Sequence, residues 1–391
     1  TAPDPQPTAA IVPGARHTRL TTAASLANAG PALGVVAKND YIGGAAVTRE
    51  RHEGWFYSCC SYVCSMMRQA IHRDLDLASH GLLLVPYLGT VAFGHNGKTL
   101  IDYPDHEANY LELKRHSPHD ADAMARFQAD LGRYAQLIRK TLMRTPPDPS
   151  SFKIRDIREM LWLAKEFWAL GEREFYEYVR FFTMSAADFL EDYFENDLVK
   201  AAMASPGIIG TALGVYSPGS AYILLHHVMG DVDGNVGAWG LARGGMGAIS
   251  NALASACKAH GGEIRTGSGV QQILVKNGEA VGVALENGDE IHARIVVSNL
   301  DARRTFTKVM DKNDLPPGIY ERAKNFKIRG SSGKVNIALS GLPKFNNLPD
   351  NPYINRGGQT FVGSLETMER AYDSWKRGTW SDDPFIESII P

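Results

Sequence analysis

The chain has 391 residues, 44% of them hydrophobic and 21% charged, with a formal net charge of -2. That length exceeds one small core and calls for two intertwined domains, and the near-zero charge gives no electrostatic ground for binding nucleic acid. No stretch reaches the about 18 uninterrupted apolar residues that span a bilayer, and the Pro-rich start, Thr1 to Pro7, reads as neither a signal nor a transit peptide; a cytoplasmic location is expected.

In chain order, the first pattern is a short apolar run, Ala9-Ala10-Ile11-Val12, followed by the turn Pro13-Gly14. A helix is predicted from about Thr18 to Ala29, with Gly30 as its stop, and a second apolar run follows at Leu33 to Val36. Strand, turn, helix and strand in that order open a doubly wound nucleotide-binding domain. From Arg49 to Asp105 short strands and turns alternate, with strands expected at Leu82 to Val85 and Gly89 to Phe93. Ala121 to Ser205 reads as helical, broken at Thr145-Pro146-Pro147-Asp148-Pro149. A Gly-rich turn, Arg243 to Gly247, then starts a helix through Ala259. Strands at Glu263 to Arg265, Val270 to Val275, Ala280 to Leu285 and Glu290 to Val297 complete this block, punctuated by Asn277-Gly278 and the hairpin signal Asn287-Gly288.

The remaining polar residues give weak chemical signals. Cys59, Cys60, Cys64 and Cys257 form no C-x-x-C pair and read as buried small hydrophobes in a reducing compartment. His52, His95 and His292 have no partner spacing for a metal, and no metal is expected. Asp231 and Asp233 resemble the start of a calcium loop but lack its sixth-position Gly and terminal Glu, so a solvated turn is the simpler reading. Tyr62, Met66, Met67, Phe181, Phe182 and Met184 would suit either an apolar tunnel or plain core. His226 and His227 would either line a site or divide into one exposed and one hydrogen-bonded core histidine.

Several segments together carry a resemblance. They are Tyr41-Ile42-Gly43-Gly44-Ala45-Ala46-Val47-Thr48, Ser217 to Gly230, Gly237-Ala238-Trp239, Gly244-Gly245-Met246-Gly247, Val270 and Val296-Val297-Ser298-Asn299. The chain, nearly throughout from Ala9, resembles the phytoene-desaturase and flavin-dependent amine-oxidase superfamily. That resemblance implies an α/β fold: a Rossmann-type FAD-binding domain interleaved with an α+β substrate domain carrying a helical insertion. The expected order is residues 8–105 for the nucleotide-binding part with the start of the substrate sheet, 106–236 for the substrate domain with its insertion, 237–303 for the return, and 304–391 for the substrate domain again. FAD is the implied cofactor, held by Gly14, Ala15, Gly43, Gly44, Ala45 and Val270. His226 and His227 are the candidate substrate-side residues, and no side chain is assigned as catalytic. The implied substrate is an apolar small molecule, oxidised by hydride transfer to the flavin. Peripheral membrane contact is implied only through such substrates, since no amphipathic stretch in the sequence demands it. The oligomeric state is not legible.

The sequence also departs from this pattern. A G-x-G-x-x-G fingerprint in register reads Gly14-Ala15-Arg16-His17-Thr18-Arg19, keeping only its first glycine. Arg16 is expected to project into the phosphate site, and Arg19 to crowd the helix against its strand. The ribose-binding acid falls at Ala37, and the neighbouring Lys38 suits the 2′-phosphate of NADP as a lesser reading. The C-terminal Gly-rich segment that holds the flavin ring in this superfamily has no counterpart before Pro391, so the last part of the fold is expected to be absent. Two functions follow: an FAD-dependent oxidoreductase, or a truncated, cofactor-free relative with an interaction role.

Overall fold

The structure, a computed structural model, describes residues 8–86, 89–328, 330, 332–346, 348 and 357–391; the Pro-rich start lies outside them. The chain divides into two compact units. The first comprises Thr1–Val85, Gly240–Arg329 and Lys334–Ala338, and the second Pro86–Trp239, Gly330–Gly333 and Leu339–Pro391. Each unit is thus assembled from separated stretches of sequence. The first two crossings fall after Val85 and Trp239.

The first unit opens with β1 (Thr8–Pro13), α1 (His17–Asn28) and β2 (Leu33–Val36). The run Ala9 to Pro13 is wholly buried, as a strand covered on both faces of a parallel sheet should be. β1 lies parallel to β2 with Ile11 opposite Gly34 and Val12 opposite Val35. Helix α1 ends where expected, and Gly30 takes φ +98°, a conformation glycine adopts without a Cβ penalty. β3 (Thr48–His52) and β4 (Trp55–Ser58) form a hairpin; α2 (Gln69–Asp74) and β5 (Leu84–Pro86) follow. Only the end of the expected Leu82 to Val85 strand is extended.

The chain then builds the second unit: β6 (Thr90–Phe93), β7 (Thr99–Asp102), α3 (His106–His116), α4 (Pro118–Thr141), α5 (Ile154–Trp168), α6 (Gly171–Thr183), α7 (Ala186–Glu191), α8 (Asp197–Ala204) and α9 (Ser220–His227). The Pro-rich break separates α4 from α5, because proline removes amide donors and cannot continue a helix. Helix starts carry side-chain caps: Ser117 on α4, Ser185 with Asp188 as a capping box on α7, and Asn196 on α8. The aromatic rings of Phe127, Tyr134, Phe181 and Phe189 form the centre of this helical core. Asp120 is fully buried and accepts the amides of Glu195 at 2.8 Å and Asn196 at 3.0 Å, tying α4 to the start of α8. A short hairpin, β8 (Asp231–Val232) and β9 (Asn235–Val236), closes this passage. Asp231 accepts the Gly234 amide at 2.8 Å and pairs with Arg139.

Back in the first unit come β10 (Gly240–Ala242), α10 (Gly247–Ala259), β11 (Glu263–Arg265), β12 (Val270–Lys276), β13 (Glu279–Leu285), β14 (Glu290–Val296), α11 (Ala302–Lys308) and α12 (Ile319–Asn325). One six-stranded sheet results, ordered β11-β2-β1-β14-β13-β12. β11, β2, β1 and β14 run parallel, and β14, β13 and β12 return as an antiparallel meander. The Asn287-Gly288 turn closes the β13–β14 hairpin as read. Helix α10 packs on α1 and reaches β11. Ile11, Val36, Ile273, Val283, Leu285 and Ala293 form a common core of this sheet. The second unit ends with β15 (Gly357–Phe361), α13 (Leu365–Arg377) and β16 (Ile386–Ile390), giving a four-stranded sheet ordered β16-β15-β6-β7. This is the α/β architecture expected. Among the described residues no helix is long and apolar enough to cross a membrane.

Candidate nucleotide site

Three peptide turns meet at one end of the first unit's sheet. β1 runs into Gly14, whose amide bonds the carbonyl of Val36 at the end of β2. Gly43 donates its amide to Ala15 at 2.6 Å, and Arg16 and Gly43 form an isolated parallel bridge. Gly14, Gly43 and Gly44 all take positive φ, at +99°, +105° and +61°, so the expected approach of Gly14-Ala15 to Gly43-Gly44 exists. Ala45 follows in the same turn and accepts the amide of Ser61 at 2.9 Å.

The second glycine cluster is held by hydroxyls that the sequence reading did not single out. Thr48 accepts the amide of Gly247 at 2.9 Å, and Ser58 accepts that of Met246 at 3.0 Å. Ser250 on α10 donates to the carbonyl of Ala46 at 2.7 Å. The start of α10 is thereby sewn to the segment after Gly43-Gly44. A Cβ on Gly247 would collide with Thr48, which explains the glycine there. The one legible hint was the position of Thr48 at the end of the Gly-Gly motif.

Val270 begins β12, half-buried against the sheet core. Ser268, two residues earlier, donates to the Ala37 carbonyl at 2.7 Å, and Gly267 donates to Asn39 at 2.9 Å. The start of β12 is therefore led past the end of β2, where a nucleoside is held in Rossmann domains. Ala37 is buried and offers a ribose no carboxylate. Lys38 pairs with Glu286 at 2.8 Å, both side chains being exposed to solvent.

Of the two arginines, Arg19 departs from its expected place. Arg16 is exposed at the N-cap of α1, and its aliphatic stem fills the space beside Gly44. It is Arg19 that reaches the glycine turn. Its side chain doubles back from the first turn of α1, and its guanidinium occupies the place where a Cβ on Gly14 would stand. Arg19 is only 4% exposed, and its Nε and Nη2 find no partner among the described residues. Burial, and then the charge of Arg16, push its pKa down to about 10, which still leaves it cationic at neutral pH. The anticipated crowding of helix on strand is avoided because the long side chain bends toward the turn. His17 is half-buried with an unpartnered Nδ1, and burial followed by Arg16 lowers its pKa.

These residues give a split answer on FAD. The parallel strands, the Gly43-Gly44 turn, and the start of β12 are placed for it. The turn that should receive its pyrophosphate is filled by the Arg19 guanidinium and the Arg16 stem, and the ribose acceptor is missing.

The second unit holds the other candidates. His226 and His227 end α9, and both are half-buried, so they do not divide into one exposed and one core residue. His227 Nδ1 lies 2.9 Å from the Ile223 carbonyl, and its ring is 6.0 Å from that of Trp239. Burial lowers the His227 pKa, with a smaller contribution from His226. Phe181 is full core, whereas Phe182 and Met184 are half-buried; Tyr62, Met66 and Met67 belong to the first unit. The cysteines are free thiols, but only Cys64 and Cys257 are buried; Cys60 is exposed and Cys59 half-buried. Three of them share the irregular stretch after β4, which lacks the continuous cover a helix or central strand would have.

The chain is similar to known proteins in sequence and in fold. The profile of flavin-containing amine oxidoreductases matches residues 20–377. Pyridine nucleotide-disulfide oxidoreductase domain-containing protein 2 of Mus musculus is 32% identical, over 98% of this chain and 69% of its own length. The chloroplastic prolycopene isomerase of Daucus carota is 24% identical over 78% of this chain and 48% of its own. Among solved structures, an oxidoreductase from Methanosarcina mazei shares the fold with a TM-score of 0.53 at 17% identity, covering 81% of this chain. The chain spans 65% of that protein's length. The chain belongs to the flavin-containing amine oxidoreductases, a family whose cofactor is FAD.

Proposed function

We propose that the protein is an FAD-dependent oxidoreductase of the dehydrogenase or desaturase type, acting on an apolar small molecule. When bound, the flavin would supply the redox chemistry by accepting a hydride from the substrate. The observation that carries the reading is the assembled end of the first unit's sheet, where Gly14, the Gly43-Gly44 turn and the start of β12 converge although they are far apart in sequence. Around it the protein's task is to hold the nucleotide and exclude water. The chain reconstituted with FAD should show a bound visible flavin band that bleaches, without oxygen, on mixing with an apolar substrate from a candidate panel. A bound flavin reducible by dithionite but by no member of the panel would count against the substrate class.

Arg19 favours a second reading, a cofactor-free relative retained for interaction. A buried cation with two unpartnered nitrogens in this turn is expensive unless something offsets it, and excluding a nucleotide is one consequence of its position. The two readings separate in a flavin titration. Failure of the parent chain to bind FAD at any accessible concentration, with binding gained in Arg19→Gly, selects the second.

A further inference from the structure

The second unit carries an uncovered helix face with an unusual make-up. Helix α5 advances 100° per residue, so Ile154, Ile157, Leu161, Ala164 and Trp168 fall in a sector of roughly 80°. All five are exposed, Leu161 at 65% and Trp168 at 90%, and Phe152 just before the helix is 93% exposed. The opposite side of the helix faces the unit through Asp156 and the half-buried Met160, Leu163 and Phe167. The stripe is therefore a second apolar face, turned outward.

The charges around it are sorted. Every charged residue of α5 that is exposed is basic: Arg155, Arg158 and Lys165, with Lys153 at the N-cap. Its three carboxylates, Asp156, Glu159 and Glu166, are buried or half-buried, and each is paired, with Arg155, Arg144 and Lys140 respectively. Lys153, Arg158 and Lys165 make no ion pair among the described residues. Arg158 and Lys165 fall along one flank of the stripe. On the neighbouring α6 the exposed Phe175, Tyr176 and Val179 share their sector with the exposed Glu172, so the sorted charge is confined to α5.

We propose that α5 docks in the plane of an anionic lipid surface. Its apolar stripe would enter the headgroup boundary, Phe152 and Trp168 would anchor its two ends, and Lys153, Arg158 and Lys165 would meet lipid phosphates. Aromatic residues favour that boundary, and a helix of this kind binds through buried apolar area together with attraction to anionic headgroups. Charge complementarity selects the occupant. An ordinary protein interface depletes charge at its centre and mixes signs at its rim, whereas this face is apolar and basic with no exposed acid on the helix. The 15-residue helix is too short to span a bilayer, which fits docking in the plane. This proposal does not depend on whether flavin binds.

The test is flotation of the full chain with vesicles of phosphatidylcholine alone and with phosphatidylglycerol added. Binding is expected to the anionic vesicles, weakening as salt is raised. Replacing Lys153, Arg158 and Lys165 together by Glu should weaken it at least about 100-fold, from roughly one factor of five to ten per cation. Leu161→Glu should weaken it at least about tenfold, with circular dichroism and melting temperature showing that each variant remains folded. No binding to anionic vesicles at low salt overturns the proposal, as does binding indifferent to these changes. So does an oligomer in light scattering that Leu161→Glu converts to monomer while vesicle binding stays the same, because the stripe would then be covered by a second copy.

Discussion

Arg19 is the residue on which the nucleotide site turns. A glycine at that position would leave the turn open for a pyrophosphate; here the guanidinium fills it and lacks partners for two of its nitrogens. Changing Arg16→Gly, Arg19→Gly and Ala37→Glu together should tighten FAD binding at least about tenfold. A recovered carboxylate bond alone is worth on the order of 1.5–3 kcal/mol, and each ~1.4 kcal/mol is tenfold. The three share one site and need not add, but the triple variant should exceed any single one in a fluorescence-quenching titration. Tight stoichiometric FAD in the parent chain would contradict this. His17 and His227 make a different prediction. Burial depresses both in the folded state, so the unfolded chain binds more protons between the depressed values and 6.5. Stability should be complete above pH 6.5 and fall as pH drops below it. Urea melts at pH 7.5 and 5.5 should show the loss, and His17→Asn with His227→Asn should shrink it.

Elements were legible where one local rule decided them. β1, α1 and β2 appear within a residue or so of the expected limits because an apolar run, a Pro-Gly turn and a terminal glycine agree with one another. The meander β12–β14 was equally plain, its turns marked by Asn-Gly pairs. What sequence could not show was where side chains go once elements meet. The bend of Arg19 toward Gly14, the engagement of Lys38 by Glu286, and the hydroxyls of Thr48 and Ser58 on α10 each join residues with no local relation. Long-range caps of this kind are testable. Thr48→Val removes the acceptor of the Gly247 amide and should destabilise the first unit by about 1 kcal/mol. Asp120→Ala removes the buried carboxylate that accepts the part-buried amides of Glu195 and Asn196 and should cost about 1–3 kcal/mol, read from urea unfolding. A loss below about 0.5 kcal/mol for Asp120→Ala would mean that another group takes up those amides.

At the scale of the molecule, composition described an ordinary globular chain and missed how its apolar residues are distributed. Periodicity announces that α5 has apolar positions, but Met160, Leu163 and Phe167 serve the inside while Ile154, Leu161 and Trp168 face out, and only packing tells them apart. The chain passes from the first unit to the second after Val85 and returns after Trp239. The second unit's small sheet has a consequence for handling the protein. β16 lies at its edge, paired to β15, and carries Ile386, Ile389 and Ile390. An edge strand presents a row of amides and carbonyls able to template another strand, and this one carries a single charge, Glu387, among its isoleucines. Concentrated samples should therefore tend toward sheet-mediated self-association. Ile386→Lys places a charge on this edge at a half-exposed position, and should raise the concentration at which light scattering first climbs while leaving the melting temperature nearly unchanged.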